Sequence, residues 1–469
     1  MKVKKGSEVE LTIDSAAYKG KGVGRLDGQA VFVPNTAPGD VVKARITKKK
    51  KNYLEGKLLE ILDSSDMRIE PKCRHAAACG GCNWQHVSYE KQLEFKREQV
   101  RDHLHRIGKL SDLEPRSTIG CDQPFYYRNK MEYSIGHKRW LSREEINSDE
   151  FVDDHCFAAG LHAPGRFDKI LNLQECHLQH PISYEILDAV RSWCEDHDIE
   201  PYNTFNNTGF MRNVVIRTSH HTDDLLVNLV TNYEDDETVE ELTKDLLEQF
   251  DRISTVVNNV NDRPNPTAVG RYEKTVYGPG YIEDYIGDYK FQIDANAFFQ
   301  TNTRQAEKLY GVALQYADLS ADEVLFDLYC GVGTLGIYMS SHAGKVVGIE
   351  SETVAVDNAR QNAKDNEVEN ISFVEGDMKD TFDPEFVEKF GTPDCLITDP
   401  PRAGMHPDVV SYLKELELEK LVYVSCNPST MARDLKELKE VYQVEEVQPV
   451  DMFPQTYHIE AVTRLSKRN

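Results

Sequence analysis

Apolar and polar positions alternate over short runs at the start of the chain, at residues 9–13, 30–33, 41–47 and 54–62. That is the period of half-buried strands. Gly20-Lys-Gly-Val-Gly24, Leu26-Asp-Gly28 and Pro38-Gly39 supply turn chemistry between them. Short strands at this spacing predict a small OB-like β-barrel over residues 1–62, a scaffold that holds nucleic acid on its strands and loops. Residues 63–71 read as a linker. Tyr89, Leu93, Val100, Leu104 and Ile107 then recur at helical spacing. They predict a helix over 89–109 that packs on the C-terminal part of the chain. Residues 72–295 mix strand and helix signals and read as an α+β central domain.

From residue 296 the pattern changes. Apolar runs at 324–329, 346–350, 371–374, 395–399 and 421–426 alternate with helical stretches at 353–366, 407–416 and 429–439. Alternating βα units predict a doubly wound, mainly parallel sheet, an α/β Rossmann-like domain over 296–469. Ligands of such sheets sit beyond the carboxyl ends of the strands.

Those ends carry the chemistry. Asp327-Leu-Tyr-Cys-Gly-Val-Gly333 closes the first strand and opens a helix at Thr334, where glycines let a ligand approach the backbone. Glu350, at the end of the second strand, is placed to accept hydrogen bonds from both ribose hydroxyls of an adenosine. Asp377, after the third, is placed to reach an adenine amine. Gly336 completes a dinucleotide fingerprint, so the glycines alone leave NAD open as well. Asp399-Pro-Pro-Arg402 makes a rigid turn that fixes a side chain beside a planar base. Cys426 ends the fifth strand just before a helix, whose N-terminus is expected to lower its pKa and favour the thiolate. Glu460 follows the last helix, within reach of the upper edge of the sheet.

At 469 residues two or three domains are expected. The N-terminus lacks the apolar core of a signal peptide and no run approaches the ~18 apolar residues of a membrane span, so the chain reads as cytoplasmic. A formal net charge of −24 speaks against nucleic acid, since phosphate contacts need Lys and Arg. Residues 1–60, however, hold thirteen Lys/Arg against seven Asp/Glu, so whole-chain charge does not decide the partner. Ten cysteines in a reducing compartment point to metal binding, catalysis and burial rather than disulfides. Cys73, Cys79 and Cys82 place three thiolates on a loop containing Gly80 and Gly81, with Cys156 or Cys176 in range as a fourth. Four thiolates suit zinc or a [4Fe–4S] cluster equally.

In order and spacing along nearly all of its length, the chain resembles the RNA uracil-5 methyltransferases that carry a TRAM domain and an iron–sulfur cluster. The matching segments are Gly20-Lys-Gly-Val-Gly24, Phe32-Val-Pro34, Cys73 with Cys79-Gly-Gly-Cys82, Tyr127-Arg-Asn-Lys130, Phe299-Gln-Thr-Asn302, Asp327-Leu-Tyr-Cys-Gly331, Asp399-Pro-Pro-Arg402, Ser425-Cys-Asn-Pro428 and His458-Ile-Glu460. The resemblance implies S-adenosylmethionine as methyl donor, held by Gln300, Tyr329, Thr334, Glu350, Asp377 and Asp399. It implies Cys426 as the nucleophile that adds to carbon 6 of uracil and Glu460 as the base that removes the carbon 5 proton. It selects Cys176 as fourth ligand of a closed, structural [4Fe–4S] cluster with Cys73, Cys79 and Cys82. Arg128 and Lys130 are expected to grip the backbone of an RNA whose target base has left its stack. Arg402 stands where amino-group methyltransferases carry an aromatic residue, which speaks against exocyclic-amine chemistry. The implied substrate is 23S ribosomal RNA, acted on by a monomer. A T-loop uridine of transfer RNA is the alternative within this chemistry, and a non-catalytic RNA-binding or redox-sensing protein the alternative outside it.

Overall fold

The computed structural model describes residues 3–17, 19–148, 152–265 and 267–468. Strands β1 (Glu8–Ala16), β2 (Gly22–Leu26), β3 (Gln29–Val33), β4 (Val41–Lys49) and β5 (Tyr53–Asp63) close a barrel in the order β1-β2-β3-β5-β4 around Ile13, Val31, Val42 and Leu54. β2 corrects the expectation that residues 20–24 are all turn. A Cβ on Gly22 would stand 2.1 Å from Thr36 Oγ1, and one on Gly24 2.2 Å from the Thr12 carbonyl oxygen. These two glycines are strand positions that let a narrow barrel close.

Helix α1 (Tyr89–Arg106) follows the cysteine loop. It buries Val100 and Leu104 among Leu421, Met431 and Leu435 of the C-terminal sheet and its helices. The central segment runs through β6 (Lys130–Lys138), α2 (Arg143–Ile146), β7 (His155–His162), β8 (Ile170–Asn172), α3 (Ile182–Asp196), β9 (Met211–Thr218), β10 (Leu225–Thr231), α4 (Asp236–Gln249), β11 (Thr255–Val260) and β12 (Tyr272–Tyr277). Its sheet has the order β12-β11-β10-β9-β6-β7-β8, with only β10 and β11 parallel. The next hairpin, β13 (Tyr281–Ile286) and β14 (Tyr289–Asp294), buries Ile282, Ile286 and Phe291 in one core with Leu325 and Val346 of the last sheet.

That last segment comprises α5 (Thr303–Ala317), β15 (Val324–Leu328), α6 (Thr334–Met339), β16 (Lys345–Glu350), α7 (Thr353–Asp365), β17 (Ile371–Glu375), α8 (Met378–Thr381), α9 (Pro384–Phe390), β18 (Cys395–Thr398), α10 (Pro407–Leu416), β19 (Lys420–Ser425), α11 (Pro428–Leu438), β20 (Tyr442–Val450) and β21 (Glu460–Lys467). The order β17-β16-β15-β18-β19-β21-β20 extends five parallel strands by an antiparallel pair. Strand order reverses at β15, where β16 lies on one side and β18 on the other, and a crevice opens at the carboxyl ends there. Among the described residues no helix is long and apolar enough to cross a membrane.

Candidate active site

β19 and β21 pair with Ser425 opposite Ala461. One step further along the antiparallel ladder, Cys426 and Glu460 come side by side. Cys426 is half-buried and Glu460 buried, so Glu460 is no surface charge. Burial pushes the Cys426 thiol up to about 12, the carboxylates of Glu460 and Asp399 add to the rise, and Arg402 opposes them. The expected lowering by the helix N-terminus is therefore overturned. Cys426 precedes the cap of α11, where Asn427 Oδ1 accepts the Ser429 N–H at 3.1 Å, and two acids face the thiol. Burial and then Asp399 raise the Glu460 pKa, again against Arg402. The Arg402 carbonyl accepts from Asn427 Nδ2 (2.9 Å) and Thr430 Oγ1 (3.3 Å), which fastens the turn after Asp399 to the helix after Cys426.

Of the residues expected to hold the cofactor, Tyr329, Thr334, Glu350, Asp377 and Asp399 follow or end the strands β15 to β18 at their carboxyl ends. Tyr329 (φ +65°) and Gly331 (φ +55°) bend the chain sharply after β15. The Gly331 N–H donates to Glu350 Oε2 at 3.0 Å, while Glu350 Oε1 accepts from the Ser351 and Glu352 N–H groups. A Cβ on Gly331 would meet nothing within 4 Å, so the outer side of this loop is open to a ligand. Asp377 is exposed and caps α8 through the Lys379 N–H. Thr334 Oγ1 lies 2.9 Å from the hydroxyl of Tyr310, a buried residue the sequence did not single out. The Asp399 N–H donates to the Leu328 carbonyl at 3.3 Å, and burial raises its carboxyl above the usual range. Beneath the loop, Asp327 is buried with no side-chain donor on its carboxylate, and the Gly336 backbone N–H partly offsets the cost of its charge. Burial, then Asp399, push it up to about 8. A buried acid under an open glycine loop, with the carboxylates of Asp399 and Glu350 close enough to raise its pKa, fits a ligand that brings a positive charge and hydroxyl donors.

Gln300 is buried on the segment entering α5, and its carbonyl accepts from Asn129 Nδ2 at 2.8 Å. Arg128 and Lys130 flank that asparagine. Lys130 pairs with Glu132 at 2.6 Å and burial lowers its pKa. Arg128 and Lys130 line a cavity of about 380 Å³ with Gly81, Phe298, Phe299 and Thr301, and Phe298 is 68% exposed.

Cys73, Cys79, Cys82 and Cys176 converge beside this cavity; Cys82 feels the charges of the other three. Burial raises all four thiols, to about 11, 11 and 12 for the first three. Each sulfur also receives N–H donors: Cys73 from His75 (3.4 Å), Cys79 from Gly81 (3.3 Å), Cys82 from Gln85 Nε2 (3.2 Å), and Cys176 from the Leu178 and Gln179 backbone. Cys156 instead faces Arg139, Glu195 and Arg191. Among the described residues, the group of His, Cys, Asp or Glu whose ligand atoms all lie within 4.8 Å is exposed Asp153 and His155 with half-buried Asp154; the four thiols do not meet that limit.

Comparison with known proteins places this geometry. Residues 2–59 match the TRAM domain, and residues 219–382 and 386–468 match the tRNA (Uracil-5-)-methyltransferase family. An uncharacterized RNA methyltransferase of Chlorobaculum tepidum is 40% identical over 468 residues, covering 98% of this chain and 97% of the relative. One of Porphyromonas gingivalis is 41% identical over 463 residues, covering 97% and 99%. The crystal structure of the Pyrococcus abyssi tRNA (uracil-54, C5)-methyltransferase in complex with S-adenosyl-L-homocysteine superposes with a TM-score of 0.77 at 28% identity, over 97% of this chain and 99% of that one. The acid-lined crevice, the Cys426–Glu460 pair and the N-terminal barrel thus belong to a member of the tRNA (uracil-5-)-methyltransferase family, an S-adenosylmethionine-dependent RNA (uracil-5-)-methyltransferase with a TRAM domain.

Proposed function

We propose that the chain methylates carbon 5 of one uridine in ribosomal RNA, of 23S type, through a covalent adduct on Cys426. The carrying observation is the register that sets Cys426 beside Glu460 at the mouth of the crevice. S-adenosylmethionine, when bound, supplies an electrophilic methyl group. Gln300, Tyr329, Thr334, Glu350, Asp377 and Asp399 hold it, with Glu350 and Asp377 offering acceptors to ribose and adenine. Cys426, as the thiolate, adds to carbon 6 of the unstacked uracil and makes carbon 5 nucleophilic. After carbon 5 is methylated, Glu460 takes its proton, the sulfur–carbon 6 bond breaks with its electron pair returning to Cys426, and the ring double bond is restored. Glu460 is suited to this because burial and Asp399 raise its affinity for a proton.

Arg128 and Lys130, on the cavity wall between the thiols and Gln300, bind the RNA backbone. Cys73, Cys79, Cys82 and Cys176 hold a closed [4Fe–4S] cluster. Three half-buried sulfurs and the buried one of Cys176, each accepting N–H bonds, are prepared for anionic thiolates, which need a cationic centre. The chain divides at 1–62, 72–295 and 296–469, with α1 and the β13–β14 hairpin reaching onto the core of the last segment.

A second reading takes a T-loop uridine of transfer RNA as target, favoured by the Pyrococcus abyssi enzyme, whose substrate is uracil-54 of tRNA. Mapping 5-methyluridine in total RNA from cells with and without this chain decides between them. A lost site in ribosomal RNA is expected, a lost T-loop site selects the second reading, and an unchanged map overturns both.

A further inference from the structure

The loop between β20 and β21 delivers Glu460 to the crevice. Its residue Gln455 is 3% exposed and adopts φ +68°, a left-handed conformation that a β-carbon disfavours and that surrounding structure must enforce. The enforcing groups come from the cysteine loop and from α1. The Gln455 carbonyl accepts both the Asn83 N–H (2.9 Å) and the Trp84 N–H (3.1 Å), from the two residues that follow Cys82. The Gln455 N–H donates to Gln92 Oε1 and Gln455 Oε1 accepts from Gln92 Nε2, each at 3.0 Å. Gln92, fully buried on α1, also donates to the Trp84 (3.1 Å) and Val87 (2.9 Å) carbonyls. Three further ties land on the same loop: Lys96 Nζ reaches Asp451 Oδ1 (2.5 Å) and the Phe453 carbonyl (3.0 Å), and the Tyr127 hydroxyl reaches the Pro454 carbonyl (3.0 Å).

We propose that Gln455 is a positioning residue that couples the cysteine loop to the general base. The backbone after Cys82 and the side chain of Gln92 together lock Gln455, and the locked loop sets Glu460 beside Cys426. A residue that merely filled space would not need a left-handed backbone, a doubly used carbonyl and a reciprocal amide pair. On this account the thiol loop serves catalysis mechanically: it braces the segment that carries the base, without approaching the substrate carbon.

The inference rests on Glu460 as the base for the carbon 5 proton, so its test separates the two steps of the reaction. Gln455→Gly tolerates the left-handed backbone and keeps the carbonyl, removing the side-chain ties to Gln92 and to the Pro124 carbonyl; Gln92→Leu removes the Gln92 tie from the other side, together with the acceptor of the Gln455 N–H and the donor to Trp84 and Val87. Adduct formation and adduct resolution are followed separately on denaturing gels with labelled methyl donor and unfluorinated RNA. Both variants are expected to form adduct within about 2-fold of the wild-type rate and to resolve it ~10–100-fold more slowly, since a displacement of about 1 Å in a catalytic group costs up to ~10²-fold. An equal fall in both steps, or resolution at the wild-type rate, overturns the inference. Glu460→Gln is the control: if it accumulates no adduct, the reading of Glu460 has failed, whereas if it does and the glutamine variants resolve normally, the coupling alone has failed. Hydrogen exchange gives a readout independent of turnover. In Cys82→Ser the amides of 452–459 are expected to exchange at least ~10-fold faster than in the wild type while those of β1 keep their protection. Unchanged exchange in 452–459 overturns the link to the thiols.

Discussion

Asn129 Nδ2 donates to the backbone carbonyl of Gln300 at 2.8 Å across 171 residues of chain. The same amide reaches Thr303 Oγ1 at 3.0 Å, and the Asn129 N–H donates to the Thr301 carbonyl at 2.9 Å. One buried side chain thus ties the segment that carries Arg128 into β6 at Lys130 to the segment that presents Gln300. Asn129→Ala leaves buried partners unmade and is expected to cost ~1–3 kcal/mol of stability. With Gln300 loosened, S-adenosylmethionine should bind about 10-fold more weakly by calorimetry. Unchanged affinity would show that Gln300 is held by other means.

Cys426 and Glu460 act at different steps, so their variants should differ in kind. Cys426→Ala is expected to abolish methyl transfer and the covalent complex with 5-fluorouridine RNA. Glu460→Gln keeps the shape of the site but cannot take the carbon 5 proton. It should add to carbon 6, methylate carbon 5 and stall, because losing a general base costs ~10²–10⁴ in rate. A labelled, slowly migrating band with Glu460→Gln and none with Cys426→Ala is the expected gel. Free product released by Glu460→Gln at the wild-type rate would assign the proton to another group.

The pH dependence of Cys426 has a definite sign. In the folded protein its thiol is pushed up to about 12 by burial, with Glu460 and Asp399 adding to the rise. Removing the Glu460 charge removes one of the contributions that disfavour the thiolate, so Glu460→Gln lowers the thiol pKa. Alkylation of Cys426 by iodoacetamide, followed site by site by mass spectrometry, should therefore begin at lower pH in that variant. Arg402 lowers the same thiol, so Arg402→Ala should move the profile the other way. Profiles that coincide, or shift in the opposite sense, would contradict the placement of these charges.

For the four thiols, protein purified without oxygen should be brown and carry iron and sulfide. Cys176→Ser is expected to lose both, while Cys156→Ser, whose sulfur faces Arg139 and Glu195, should keep them. Zinc in place of iron, or the reverse behaviour of the two variants, would refute the ligand set.

The alternation of apolar runs with helical stretches after residue 296 was legible in the sequence because the periods of strand and helix are local properties. α7, α10 and α11 begin and end within a residue of the stretches read from that pattern. Asp27 (φ +48°) and Gly28 (φ +79°) form the tight turn between β2 and β3 that their residue types announce. Gly22 and Gly24 look like the same signal, yet their reason for being glycine is the approach of Thr36 and the Thr12 carbonyl. No local window contains that information. The motifs fall at the strand ends, but Asn129 and Gln455 bond to partners 171 and 363 residues away, invisible to any periodicity. The state of Cys426 shows the division most sharply. A strand end before a helix suggested a lowered pKa; burial of the thiol raises it instead, and the insertion of β21 between β19 and β20 adds to the rise by bringing a buried acid against it. The sequence by itself determined the residue types and the local elements, because backbone preference and side-chain spacing act over a few residues. Only the tertiary structure decided register, burial and the sum of charges around each group, because these arise from chain segments that meet only on folding.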